Sequence, residues 1–215
     1  YATAPEIQVA KDLGCAIKIK WGVTYLWLHR PGDKTVDGVP QTRIFGTFVK
    51  AARELRNELK KAAEGKDSLE EQAAKLYANS LYGKVCQSLR LKHVFDTRKV
   101  SSIRLKPSPI TNPAIGAHVT GFIRAILAEI LNRIPSYRRV LSVTTDGYLS
   151  DITEQEMTLC LSGPLCQRFK ALCERIVPGS SMLEVKHQVA QVVCMKTRGQ
   201  LTSQAIPGQK IVLAK

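Results

Sequence analysis

Apolar positions along this chain change period several times, and each change marks an element. Residues 4 to 13 (Ala-Pro-Glu-Ile-Gln-Val-Ala-Lys-Asp-Leu) predict a short helix, with Pro5 suited to its first turn and Gly14 to its C-terminal cap. Alternation in Ile17-Lys18-Ile19-Lys20-Trp21, then the apolar-aromatic run Val23 to Trp27 after Gly22, predicts strands. The polar stretch 31 to 42, with its Gly-Asp and Asp-Gly pairs, predicts a loop. A helical pattern runs from Phe45 to Ala63 and breaks at Gly65-Lys66-Asp67. It resumes after Ser68, where Glu71 three residues on predicts a capping box. Two helices joined so tightly predict an antiparallel hairpin.

The second half reads in the same way. Short strands are predicted near His93–Phe95 and Ser101–Leu105, in a basic segment that ends at Pro107 and Pro109. Asn112 as N-cap and Pro113 at the first position open a long helix. Its apolar face (Ile115, Val119, Phe122, Ile123, Ile126, Leu127, Ile130, Leu131) is wide enough to lie on a sheet, with Thr120 and Arg124 as structural residues. Arg139 to Ser150 predicts strand, tight turn, strand. Thr153 and Glu156 predict another capping box, opening a helix to about residue 174 with Leu159, Leu165, Phe169 and Leu172 inward. Gly163-Pro164 kinks or splits it. Strands return through 182–195, and Lys196 to Gly199 lies at a strand end.

Composition adds a partner. With 215 residues, 44% hydrophobic and 23% charged, the chain has the apolar material for a real core. A net charge of +14 favours a polyanion, and counterion release from nucleic acid is the usual reward for such an excess. No basic amphipathic helix with a clean apolar face, signal peptide or uninterrupted membrane-length run stands out, so no membrane partner is expected. Six cysteines form no Cys-x-x-Cys pair and no ligand rhythm with the four histidines, which reads as a reducing compartment without zinc. The chain opens on Tyr1, not Met, and is expected to be a piece of a longer protein.

Candidate chemistry concentrates in two places. Lys75, Asn79 and Tyr82 stand at i, i+4 and i+7 and share one helix face, a cation, an amide and an aromatic ring suited to a phosphate, a base or sugar edge and a stacking plane. The same spacing also suits a plain amphipathic helix with a solvated lysine. Arg53, Arg56, Lys60 and Lys61 crowd the second half of the preceding helix. The midpoint of Arg56 and Lys75 falls between Gly65 and Lys66, so the two are expected to be level across the hairpin. Arg56 and Lys60, one turn apart, would converge with Lys75 on one anion, and a triphosphate would relieve the mutual repulsion of three cations. A solvated basic surface is the plainer alternative. The second place is Asp146 at the hairpin tip, where turn chemistry alone also accounts for an aspartate.

The order Lys75-x-x-x-Asn79-Ser80-x-Tyr82-Gly83 resembles the fingers motif of family B DNA polymerases, especially the viral, phage and plasmid branch that includes protein-primed enzymes. The resemblance implies that Arg56, Lys60 and Lys75 bind the incoming triphosphate and that Asn79, Tyr82 and Gly83 lie near the nascent base pair. Thr144-Thr145-Asp146-Gly147 resembles the third polymerase motif, Asp-Thr-Asp-Ser, with Asp146 as the catalytic, metal-binding carboxylate. Thr144 stands where the first Asp would be, and Gly147 where the Ser would be. Glu184 and Lys196 match the spacing of a Glu followed by Lys-x-Tyr, which implies a further metal ligand and a primer-template contact. Arg198 stands at the Tyr position, and Glu184 reads equally well as a strand-surface charge.

By the same resemblance the fold is α+β, an antiparallel palm sheet backed by helices (1–44 and 90–215) with an inserted helical-hairpin fingers module (45–89). The implied reaction is template-directed transfer of a nucleotidyl group from a dNTP to a primer 3′-hydroxyl on a two-Mg²⁺ site. Template-primer DNA, dNTP and, for a protein-primed enzyme, a terminal protein are the implied partners. The first palm motif, Asp-x-x-Ser-Leu-Tyr-like, is not found and is expected upstream of Tyr1, so this segment alone is expected to be inactive. The alternative is an inactive polymerase-like scaffold that binds nucleic acid.

Overall fold

The structure, a computed structural model, describes residues 1–24, 35–36, 39–40, 45–61, 68–186, 188–196, 199–202 and 213–214. In chain order these form α1 (Ala4–Asp12), β1 (Thr35–Val36), β2 (Val39–Pro40), α2 (Gly46–Lys61), α3 (Leu69–Val85), β3 (His93–Asp96), β4 (Ser101–Arg104) and α4 (Pro113–Arg133). There follow β5 (Val140–Val143), β6 (Tyr148–Ser150), α5 (Glu154–Cys160), α6 (Pro164–Ile176), β7 (Val193–Lys196), β8 (Gly199–Leu201) and β9 (Leu213–Ala214). The fold is α+β, and every described strand pair is antiparallel. Among the described residues the strands form small antiparallel sheets, β1-β2, β3-β4, β5-β6 and β7-β8-β9. The chain divides into two compact units, residues 16–116 and residues 1–15 with 117–215.

In the unit of residues 16–116, α2 and α3 form the expected antiparallel hairpin. Phe48 and Tyr77 meet with ring centroids 5.1 Å apart, and Arg56 reaches Glu71 nearer the turn. Residues 62–67, the turn itself, lie outside the described residues. The strand expected over Ile17–Trp21 is not formed; Ile17, Ile19, Trp21 and Val23 are exposed in irregular backbone. Alternation specifies two faces of an extended segment, but a strand also needs a ladder, which alternation does not supply. Tyr25 to Trp27 lie outside the described residues. The expected loop at 31–42 instead holds the short pair β1-β2, with Thr35 opposite Pro40 and Val36 opposite Val39. β3 and β4 form where expected, joined by a turn in which Asp96 Oδ1 accepts from the backbone N–H groups of Arg98 and Lys99.

In the unit of residues 1–15 and 117–215, α1 begins with a capping box between Thr3 and Glu6 and ends at Gly14, whose φ of 79° requires the left-handed region. Glu6 also accepts from Arg124 Nε at 2.7 Å, which ties α1 to α4. α4 carries the core: Ile126 and Ile130 bury against Cys160 and Cys166, with Phe122, Leu165, Phe169 and Tyr148 packed around them. Val119, expected on that face, is exposed. The helix predicted from Thr153 to 174 is split at Gly163-Pro164 into α5 and α6; of its expected inward residues Leu165 and Phe169 pack on the core, while Leu159 and Leu172 are exposed. Leu159 is 70% exposed while Cys160 and Cys166 are fully buried, because the break shifts the phase between the two halves. Residues 182–186 and 188–192 are mostly irregular, and β7 begins only at Val193. α4 has the length and composition to cross a bilayer, but Arg124 and Glu129 interrupt its apolar run and its buried residues are committed to this core.

Candidate functional site

Ser68 ends the approach to α3 by accepting from the Glu71 backbone N–H at 3.2 Å, so one half of the expected capping box forms. The other half does not. The Glu71 carboxylate turns across the hairpin and accepts from Arg56 Nε at 2.7 Å. Its side chain is 3% exposed, against 30% for Arg56. A buried carboxylate needs a partner more than an exposed backbone N–H does, since water can serve the latter. The pairings 48 with 77 and 56 with 71 set the hairpin register. Arg56 is therefore level with Glu71 and about one turn from Lys75, not level with Lys75 as the midpoint predicted.

The three expected cations nevertheless share one neighbour. The hydrogen bond from Arg56 is the largest cause holding the Glu71 carboxyl below its usual range; burial pushes it up, and the charges of Arg56, Lys60 and Lys75 add to the lowering. Glu71 thus offsets part of the repulsion that a triphosphate was expected to relieve. Sequence reading missed this because Ser68 offered Glu71 a local partner. The available signal was its place four residues before Lys75, on the same face. Lys75, Asn79 and Tyr82 are exposed along α3. A Cβ added at Gly83 would meet nothing within 4 Å, so packing inside the described chain does not account for glycine there.

In the other unit, β5 and β6 carry the expected turn. The Thr144 backbone N–H donates to Gly147 O at 2.8 Å, and its hydroxyl donates to the same oxygen at 3.2 Å. Thr144, expected to stand at the position of the motif's first aspartate, closes the turn. Asp146 is exposed at the tip. The base of the hairpin is held by Asp151 Oδ1, which accepts from the Arg139 N–H, and by Ser150 Oγ, which donates to Arg139 O. Beside the turn, Tyr148 packs into the core with its hydroxyl buried and without a hydrogen-bond partner among the described residues. That burial, with the neighbouring Cys160 and Cys166, pushes the phenol pKa up.

Glu184 is exposed in irregular backbone. Lys196 ends β7, paired with Gly199, and Arg198 lies outside the described residues. Among the described residues no three His, Cys, Asp or Glu side chains gather as a metal centre. Asp146 fits as one oxygen ligand for a hard cation such as Mg²⁺, and does not by itself form a two-metal cage.

Comparison with known proteins gives one relative of clear similarity. The chain is 45% identical over 215 residues to the Primer-independent DNA polymerase PolB of Escherichia coli, a match over 100% of this chain and 24% of the relative. The chain thus spans about a quarter of the length of the curated relative it matches. No protein-family model matches it, and no solved structure does.

Proposed function

We propose that this chain is the palm-and-fingers segment of a family B DNA polymerase, with residues 45–89 as fingers and 1–44 and 90–215 as palm. The reaction is template-directed transfer of a nucleotidyl group from a dNTP to a 3′-hydroxyl, with release of pyrophosphate. The observation that carries this reading is the α2–α3 hairpin, where Arg56 bonds a buried carboxylate that the charges of Lys60 and Lys75 also help hold ionised, while Asn79 and Tyr82 are exposed on α3. Similarity along the whole chain to a relative named as a DNA polymerase supports it. That name also says primer-independent, which lends nothing to a terminal protein as partner. The acceptor is a 3′-hydroxyl on a strand opposite the template, whether that strand is a primer or begins with a single nucleotide.

The residues divide the work by chemistry. Arg56 spends its Nε–H on Glu71, which leaves the other guanidinium N–H groups for phosphate oxygens. Lys75 and Lys60 supply point charges to the same triphosphate. Asn79 offers an amide to a base or sugar edge, Tyr82 a ring to stack on, and the open space at Gly83 lets a base pair approach the backbone. Asp146 would hold one position on a bound Mg²⁺, and the chemistry such an ion would supply is Lewis acidity toward the phosphate. Lys196 and Arg198 contact the primer-template backbone, and Glu184 is a further carboxylate that would serve the metal.

Two substitutions in the polymerase that carries this chain test the assignment. Lys75→Ala raises the nucleotide KM by about 10- to 100-fold, the loss expected for a charged hydrogen bond. Asp146→Ala lowers extension by roughly 1,000-fold and leaves DNA affinity near wild type. An unchanged nucleotide dependence in the first, or substantial extension in the second, removes the assigned role. A second reading, an inactive nucleic-acid-binding scaffold, is favoured by Thr144, whose hydroxyl closes the turn where a second carboxylate was expected. Binding of dNTP that depends on a divalent metal separates the two.

A further inference from the structure

Glu71, Ala74 and Val85 are the buried residues of α3, and they share one side of the helix. The opposite side carries Leu69, Ala73, Leu76, Ser80 and Gly83, at alternating spacings of four and three residues. That is the repeat of a seam along which one helix packs on another. All five residues are exposed, Leu69 by 78% and Leu76 by 72%. The Ser80 hydroxyl donates to Tyr77 O at 2.7 Å, within its own helix, so covering the stripe leaves it satisfied. A Cβ at Gly83 would meet nothing within 4 Å, which leaves a hole for a side chain from outside.

Reversed end for end about Leu76, the stripe matches itself. Leu69 falls opposite the partner's Gly83, Ala73 opposite the partner's Ser80, and Leu76 beside its own copy. The largest side chain thus meets the residue that has none. The flanks match as well: Glu70 falls opposite the partner's Lys84, twice in a symmetric pair. Both are exposed, and neither forms an ion pair among the described residues. A parallel pair would set leucine on leucine and glycine on glycine, and would oppose like charges at Glu70 and at Lys84. An unrelated apolar helix would cover the stripe, but it has no reason to fit the reversal.

We infer that two copies of this chain associate through an antiparallel pairing of their α3 helices, with the two-fold axis at Leu76. The same patch is used by both copies, so the contact closes at two. A helix of 17 residues gives a seam about 25 Å long. That is at the small end of specific interfaces, so the dimer is a weak one that forms as concentration rises. The inference does not rest on the polymerase reading.

Its test is sedimentation velocity of the polymerase that carries this chain, treated with nuclease, from about 1 to about 200 µM. The mass is expected to rise from one copy to two and stop there. The dimer persists at about 0.5 M salt, where repulsion between positively charged copies is screened. Leu69→Glu and Leu76→Glu each raise the dissociation constant at least about 10-fold, because a symmetric pair loses each leucine twice. Both positions are exposed, so the melting temperature stays at its wild-type value. Glu70→Lys or Lys84→Glu alone weakens association, and the double exchange recovers it. A short bismaleimide joins an Ala73→Cys copy to a Ser80→Cys copy more than it joins either to itself, above the background of the unsubstituted protein. A single copy at every concentration overturns the proposal, as does growth beyond two copies or wild-type association in both leucine variants. Association that nuclease or salt abolishes means that nucleic acid holds the copies together, and overturns it too. So does a double exchange no better than the single ones, or equal joining in every mixture. None of these variants touches a residue assigned to the triphosphate, the base pair or the metal. Loss of the dimer therefore leaves the Lys75 and Asp146 tests standing, and their failure leaves the dimer untouched.

Discussion

The carboxylate of Glu71 is nearly sealed from water, while the guanidinium that holds it stays partly in solvent. Its negative charge is the internal counterweight to Arg56, Lys60 and Lys75. Glu71→Gln keeps the shape and removes the charge, so the three cations repel one another. The expected result is a lower melting temperature at low salt, partial recovery at high salt as the repulsion is screened, and a larger rise on adding dNTP than in the wild type. Thermal scans with and without nucleotide at two salt concentrations check this. Unchanged scans would mean that the cations are not coupled through Glu71. At this scale the shared face of Lys75, Asn79 and Tyr82 was legible, because helical spacing alone places them. The partner of Glu71 was not. Two acceptable partners competed for it, and only the cross-hairpin register decided between them.

Local signals within elements were read well where the whole interaction fits inside one turn. Asn112 caps α4 by accepting from the N–H groups of Ala114 and Ile115, and Thr153 closes a full capping box with Glu156. The start of α6 is different. Gly163 and Pro164 signalled a break, but the cap comes from Glu129, 36 residues from Leu165 along the chain. Glu129 accepts from the Leu165 N–H at 3.2 Å and the Cys166 N–H at 2.9 Å. A Cβ at Gly163 would collide with that carboxyl group. Gly163→Ala is therefore expected to displace Glu129 and cost about 1–3 kcal/mol, the penalty for buried groups left without partners. Urea unfolding should show a lower midpoint with an unchanged slope. A wild-type midpoint would mean that the cap relaxes without loss. The same break explains why Cys160 and Cys166, not Leu159, point inward, a choice that helical periodicity could not follow across it.

For the whole molecule, acid supplies the clearest test of how the unit of residues 1–15 and 117–215 is held. Burial pushes the Glu6 carboxyl up, but hydrogen bonds from Arg124 and Thr3 outweigh it and hold its pKa at about 2. Glu156 is held at about 2 chiefly by Arg138, with further bonds from Thr153 and Tyr137. Both folded values lie below the ordinary 4.5, so the stability they contribute is present above about pH 4.5 and is lost as pH falls through about 2. Urea midpoints measured from neutral pH downward should fall across that window, and Arg138→Ala should make the fall shallower. A midpoint independent of pH down to 2 would deny these ties. The sequence by itself determined the α+β class, the helical hairpin, the hairpin turn at Asp146 and the excess of positive charge. Each depends on neighbours within a few residues or on composition alone. Tertiary structure decided which cation Glu71 holds, which cysteines are buried and which glutamate caps α6. Those outcomes turn on register and packing between segments far apart in the chain, where several pairings satisfy the local pattern and burial selects one.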